Sequence, residues 1–258
     1  MSKTIVLAAL LAAAGAVADA QTVDEIVARN AGARGGAAAW RAVQSMKCSG
    51  SMDVGRGVQV PFRLELKRPR KMRLEFDFAG STTVQTYDGV AGWTLAPYAG
   101  RSEAQPFSAE ELKAASAQAE LDGALIDYAA KGSRLELVGR EMVEGREAFK
   151  LALTPRDGSR RYVYVDVESG LEVEVESSRQ LRGEEKPVRT YFRDYRSVGG
   201  LLVPHLLETR IEGAPRSHAL KITSVVLDVP VPEARFARPS SAGDRVERQA
   251  KAAPGAGR

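Results

Sequence analysis

The stretch Phe62-Arg63-Leu64-Glu65-Leu66-Lys67-Arg68-Pro69, followed by Met72-Arg73-Leu74-Glu75-Phe76-Asp77-Phe78, alternates apolar and charged residues with a period of two. That period places one set of side chains on each face of a strand, so each segment has one wet face and one apolar face. Pro69 cannot donate to a sheet ladder and stops the first of the two strands. The same alternation runs backwards through Met46, Cys48, Gly50, Met52 and Val54, with Gly55-Arg56-Gly57 as the intervening turn. Asp88-Gly89 predicts another turn, and Trp93 to Ala96 a short strand after it.

Strands resume after residue 132, at Leu135–Val138, Phe149–Leu153, Tyr162–Val167, Leu171–Val175, Thr190–Arg196, Leu202–Ile211 and Leu220–Leu227. The expected total is about eleven. Two segments carry a helical period instead. Thr22 to Ser45 opens with a Thr22–Glu25 capping box, and Gly32, Gly35 and Gly36 should break it. Ser108 to Lys131 opens with a Ser108–Glu111 box, and Gly123 should divide it into two helices. A sheet of this size curls or closes, and the helices must cover an apolar face that would otherwise meet water.

The ends of the chain read differently. Residues 1–20 combine Lys3, an apolar run from Ile5 to Val17 and Ala18-Asp19-Ala20. Those are the marks of a secretory signal cleaved after Ala20, with an apolar run too short to span a bilayer. An exported, periplasmic protein is the expectation. Residues 21–239 should form the folded domain, and 240–258, rich in Ala, Gly, Ser and Arg, a disordered tail.

Composition narrows the chemistry. The chain has 258 residues, 44% hydrophobic and 27% charged, an ordinary globular mix with a net charge of +4. One Cys precludes an intramolecular disulfide and a cysteine-rich zinc site, and two His disfavour a histidine metal centre. No nucleophile elbow, zinc-protease helix or phosphate loop is present. Cys48 falls on an apolar strand face and reads as an inert thiol. His205 and His218 sit in strand patterns and read as structural. Glu172, Glu174 and Glu176 share a strand face in the sequence pattern and read as solvated. The expectation is a protein that is not an enzyme, with no cofactor or metal. Its basic residues are spread rather than clustered with aromatics, which disfavours nucleic acid.

The order of elements, together with Lys67-Arg68-Pro69, Asp88-Gly89 with Trp93, and Phe236 with Pro239, resembles the LolA-like superfamily of periplasmic lipoprotein carriers over Thr22 to Pro239. The resemblance implies a mainly β fold with an α lid: an incomplete, half-open antiparallel barrel covered by an N-terminal helix and a helical insertion. It implies a carrier that shelters the acyl chains of lipoproteins, or a related lipid, for transfer to the outer membrane. An inner-membrane ABC transporter as donor, an outer-membrane acceptor and transient contact with membrane surfaces come with it.

The implied acyl-binding face comprises Met46, Met52, Phe62, Leu64, Leu66, Met72, Leu74, Phe76 and Phe78, with Arg68 controlling the lid. The alternative is a LolA-like sensing or protein-interaction module without a transport cycle. Asp194 to Pro204 departs from the carrier proper toward looser members of the superfamily.

Overall fold

The computed structural model describes residues 21–240 except Arg56, Arg182, Pro215 and Arg216, and the side chain of Leu181. The expected signal segment and all but the first residue of the expected tail lie outside the described residues. Two helices come first, α1 (Val23–Ala33) and α2 (Ala37–Ala42). The meander β1 (Ser45–Asp53), β2 (Gln59–Lys67), β3 (Lys71–Phe78), β4 (Ser81–Tyr87), β5 (Gly92–Leu95) and β6 (Gln105–Pro106) follows. Helix α3 (Ala109–Gln118) precedes a second run: β7 (Arg134–Val143), β8 (Arg146–Thr154), β9 (Arg161–Asp166) and β10 (Glu172–Leu181). β11 (Glu184–Val198), β12 (Leu201–Ile211) and β13 (His218–Leu227) complete it.

All thirteen strands form one sheet in the order β6-β5-β4-β3-β2-β1-β13-β12-β11-β10-β9-β8-β7. Every pairing is antiparallel, and β1 joins the two halves through β13. The edge strands β6 and β7 do not pair, so the sheet is a half-open barrel. The architecture is the one expected, with thirteen strands rather than about eleven. The additional strands are β4, which lacks alternation, and the two-residue β6.

The N-terminal region breaks where its glycines predicted. Thr22 caps α1 through the reciprocal box with Glu25. Gly35 and Gly36 then take φ of +103° and +97°, a region open to glycine, and turn the chain into α2. Gly32, in contrast, remains inside α1. The insertion corrects another expectation. α3 forms with its Ser108–Glu111 box, but residues 121–132 are a chain of turns and not a second helix. That segment is anchored by Leu121, Leu125 and Ile126, all buried, and by a buried carboxylate described below.

The sheet carries apolar clusters on both faces. The inner face, under the helical elements, holds two of them. One gathers Met46, Phe62, Leu66 and Met72 of β1–β3 with Trp40 of α2, Ala115 and Ala119 at α3, and Leu121 and Ile126 of the insertion. The other gathers Phe149, Leu151, Leu153, Val163 and Val165 of β8 and β9 with Ile26 of α1 and Leu125. The insertion therefore touches both halves of the sheet. On the outer face the C-terminal segment crosses β3 and β4, burying Val231 and Phe236.

Candidate functional site

Registry settles which residues share the inner face. Phe62 faces Gly50 and Phe76, Leu64 faces Cys48 and Leu74, and Leu66 faces Met46 and Met72. Directly opposed residues of an antiparallel pair point to one side. Of the nine predicted acyl-binding residues, Met46, Phe62, Leu66 and Met72 are buried in the first inner cluster. Met52, Leu64, Leu74 and Phe76 are half-buried against it. Phe78 is not in that cluster. It meets the ring of Tyr98 edge to face, with centroids 5.1 Å apart, near the β3–β4 turn. Phe62 and Met72 are 2% and 1% exposed, so the lid residues already fill the face opposite them. An acyl chain entering there must displace the lid.

The lid is held by charge as well as by apolar packing. Arg68 lies at the end of β2, on the parity of Phe62, Leu64 and Leu66. Its Nε donates to the Val43 carbonyl at 2.8 Å, and its Nη2 to the Trp40 carbonyl at 3.0 Å. Nη2 also reaches Oδ2 of Asp122 at 2.8 Å. One side chain thus ties the sheet rim to both covering elements, the end of α2 and the insertion. Asp122 is 1% exposed and accepts a second cation, Lys131 Nζ, at 2.6 Å on Oδ1. Burial pushes its carboxyl up. The hydrogen bonds and charges of Lys131 and Arg68 outweigh that and leave it below the usual carboxylate range.

Further ion pairs repeat the pattern. Arg70 and Lys131 both contact Glu120, at 2.9 and 3.2 Å. Arg41 of α2 holds Asp127 through two hydrogen bonds of 2.8 and 2.6 Å. Arg34, at the end of α1, is buried over the Trp40 ring and donates to the Asp122 carbonyl at 2.9 Å. It also approaches Glu172 of β10 at 3.5 Å. Sequence reading found Arg68 but missed Asp122, Lys131 and Arg34, and read Glu172 as solvated. None lies in a motif, and the partners of Asp122 stand nine and fifty-four positions away in the chain.

The other candidate residues fall as follows. Cys48 is buried, and that burial pushes its thiol up to about 12. His205 is buried with Nδ1 2.9 Å from the Val203 carbonyl. His218 lies 3.8 Å from Asp53 at the surface. The expected solvated row of Glu172, Glu174 and Glu176 is corrected. A register shift between Glu172 and Glu174 breaks the row: Glu172 reaches Arg34 and is buried. Glu174 stays on the outer face but is 3% exposed, with Arg189 at 3.7 Å. Its carboxyl is pushed up by burial first and by Glu176, Glu144 and Glu141 as well, against the charge of Arg189.

Over most of its length the chain is similar in fold to several solved proteins. A LolA superfamily protein of Nitrosomonas europaea aligns at TM-score 0.58 and 13% identity, covering 85% of this chain and 99% of that one. A DUF1329 family protein of Desulfovibrio piger aligns at 0.60 and 14%, covering 83% and 97%. An outer membrane lipoprotein-sorting protein domain of Vibrio parahaemolyticus aligns at 0.57 and 15%, again covering 83% and 97%. At such identities the likeness is one of fold. No protein-family model matches the sequence, and no curated protein matches it.

Proposed function

We propose that this chain, which has a LolA-like fold, is a non-enzymatic periplasmic carrier. On this reading it shelters the acyl chains of a lipoprotein or lipid against the inner face of its sheet. One observation carries the reading. A broad apolar sheet face is covered by short elements that a compact polar latch, centred on Arg68 and Asp122, fastens to the rim. A permanent core needs no such device, because apolar packing alone closes it. A cover fastened by a few charge-assisted bonds can be released as a unit.

The energetics suit a carrier. Burial contributes about 0.8 kcal/mol per methylene, so a chain of some sixteen carbons gains on the order of 12 kcal/mol. Against that gain stand the displaced lid contacts and the broken latch. The difference sets an affinity that permits both capture and release. Met46, Met52 and Met72 add adaptable side chains on the binding face, suited to chains of varied shape. Donor and acceptor at the two membranes, as the sequence resemblance implies, complete the proposed cycle.

Native mass spectrometry of the mature protein isolated from a periplasmic extract, with lipid extraction, tests the reading. A stoichiometric acylated adduct is expected. A clean protein mass, with no uptake of added lysophospholipid or lipopeptide, would refute the carrier and leave an interaction module.

A further inference from the structure

A second feature lies beside the lid, away from the predicted acyl-binding residues of β1–β3. Between the insertion and the β8–β9 hairpin is a cavity of about 170 Å³. Five cationic side chains line it against two carboxylates. Two of the cations, Arg70 and Lys131, are committed to Glu120 and the latch. The other three are Lys113 on α3, and Arg156 and Arg161 on the hairpin. Among the described residues, none of these three has a carboxylate within 4 Å or a side-chain hydrogen bond. Asp157 in the same lining acts at longer range on Lys113 and Arg161 and offsets one of the three charges, so the hollow keeps a net positive charge that a bound anion would neutralise.

The surroundings define the anion. The stem of Arg156 lies in the space that a Cβ on Gly132 would fill, so the missing side chain lets the arginine lie against the lid backbone. Arg161 is partly withdrawn from water, and burial pulls its guanidinium below its ordinary range against the charges of Asp157 and Glu120. The hydroxyl-bearing Ser116 and Ser133 also line the hollow. Planar forks, an ammonium and hydroxyls lining one small hollow suit a tetrahedral oxyanion. The volume fits a headgroup fragment and is below the 300 Å³ or more of a pocket for a whole drug-sized ligand.

The floor adds the second half of the ligand. Leu153 and Ala124 line the same cavity and belong to the second inner apolar cluster or pack against it. A group held by the cations therefore lies next to the second inner cluster, on the same face of the sheet as the acyl-binding residues of β1–β3. We propose that this cavity binds the phosphate headgroup of an acylated cargo, with the chain passing Leu153 and Ala124 onto the inner face. The inference rests on the carrier reading and names its substrate class: an anionic amphiphile.

The test compares two lipids that share one chain. Full-length protein is titrated with 1-palmitoyl lysophosphatidate and with 1-palmitoylglycerol, and separately with inorganic phosphate. The expected result is at least tenfold tighter binding of the phosphorylated lipid. Arg156→Gln with Arg161→Gln should abolish that preference and leave 1-palmitoylglycerol binding unchanged. The Arg156→Lys, Arg161→Lys pair should keep most of the preference. If the double glutamine variant fails to fold, Lys113→Gln on the exposed face of α3 should lower the preference by itself, by roughly threefold. Inorganic phosphate alone should bind at least a hundredfold more weakly than the lipid.

Equal binding of the two lipids overturns the headgroup site and leaves the carrier standing. Binding of neither lipid overturns the carrier and the site with it. Phosphate binding as tightly as the lipid, lost in the double glutamine variant, makes the cavity a site for a free oxyanion and overturns its link to the chain.

Discussion

Asp122 is the residue on which the lid turns. It is nearly withdrawn from water yet stays ionised, because Lys131 and Arg68 each donate to one of its oxygens. Its folded pKa is lowered, so it stabilises the fold fully above the unfolded value, about 3.9. That contribution is lost as pH falls through the folded value. Neutral conditions therefore keep the latch closed, and only strong acid loosens it. Asp122→Asn should cost about 1–3 kcal/mol at pH 7, and the gap to the parent should narrow steadily in melts as pH falls below about 3.9.

Arg68→Leu acts on the same latch from the sheet side. On the carrier reading, the three bonds of Arg68 exist only while the lid is down, and a chain has to displace the lid to bind. Removing them shifts the population toward the open form and so tightens cargo binding. Cargo should dissociate roughly tenfold more slowly, for about 1.4 kcal/mol. A melting curve separates this from unfolding, and release at the parent rate would remove Arg68 from the mechanism. Arg68 was legible in the sequence through the resemblance of Lys67-Arg68-Pro69 to the superfamily's motif, with its strand parity in support. Asp122 was not, because its meaning comes from partners that only the folded chain brings near.

At the scale of elements, the C-terminal segment explains why some strands read clearly and others did not. Alternation is visible where one face of a strand is wet. β2 and β3 satisfy this in sequence, although the outer residues Glu65, Arg73 and Glu75 prove to be buried. They are covered by the 3-10 turn Glu233–Phe236. Arg235 in that turn donates to Glu65 at 2.8 Å and to Glu75 at 3.2 Å, and Glu233 pairs with Lys67 and Lys71. In β4 the covering reaches both faces: Thr83, Val84, Thr86 and Tyr87 are all buried, so no period survives to be read. Phe236, 1% exposed, is the apolar anchor of the segment. Phe236→Ala should cost about 3–5 kcal/mol, measured by denaturant unfolding. A cost below 1 kcal/mol would show that the ion pairs, not the ring, hold the segment. Pairing also has to stop at the other edge. There β7 exposes Val138 and Met142, but a register shift between Leu137 and Gly139 and the flanking charges Glu136, Arg140 and Glu141 interrupt the free ladder.

The whole molecule then separates into a continuous scaffold and a fastened cover. Twelve consecutive antiparallel pairings run through the sheet, so no strand can leave without breaking its neighbours' ladders. The cover has no such continuity. α1 and α2 are short, the segment after α3 is turns, and each is held by separate side-chain bonds. Local opening free energies should differ accordingly, because elements with few ladder bonds open without global unfolding. Native-state hydrogen exchange tests this directly. Amides of 37–43 and 119–132 should exchange through openings well below the global stability, and those of β1, β2 and β11–β13 only near it. Arg68→Leu should speed the first set and leave the second unchanged. Exchange of both sets in one cooperative step would mean that lid and sheet form a single unit. The apolar inner face would then be an ordinary core rather than a berth for a chain.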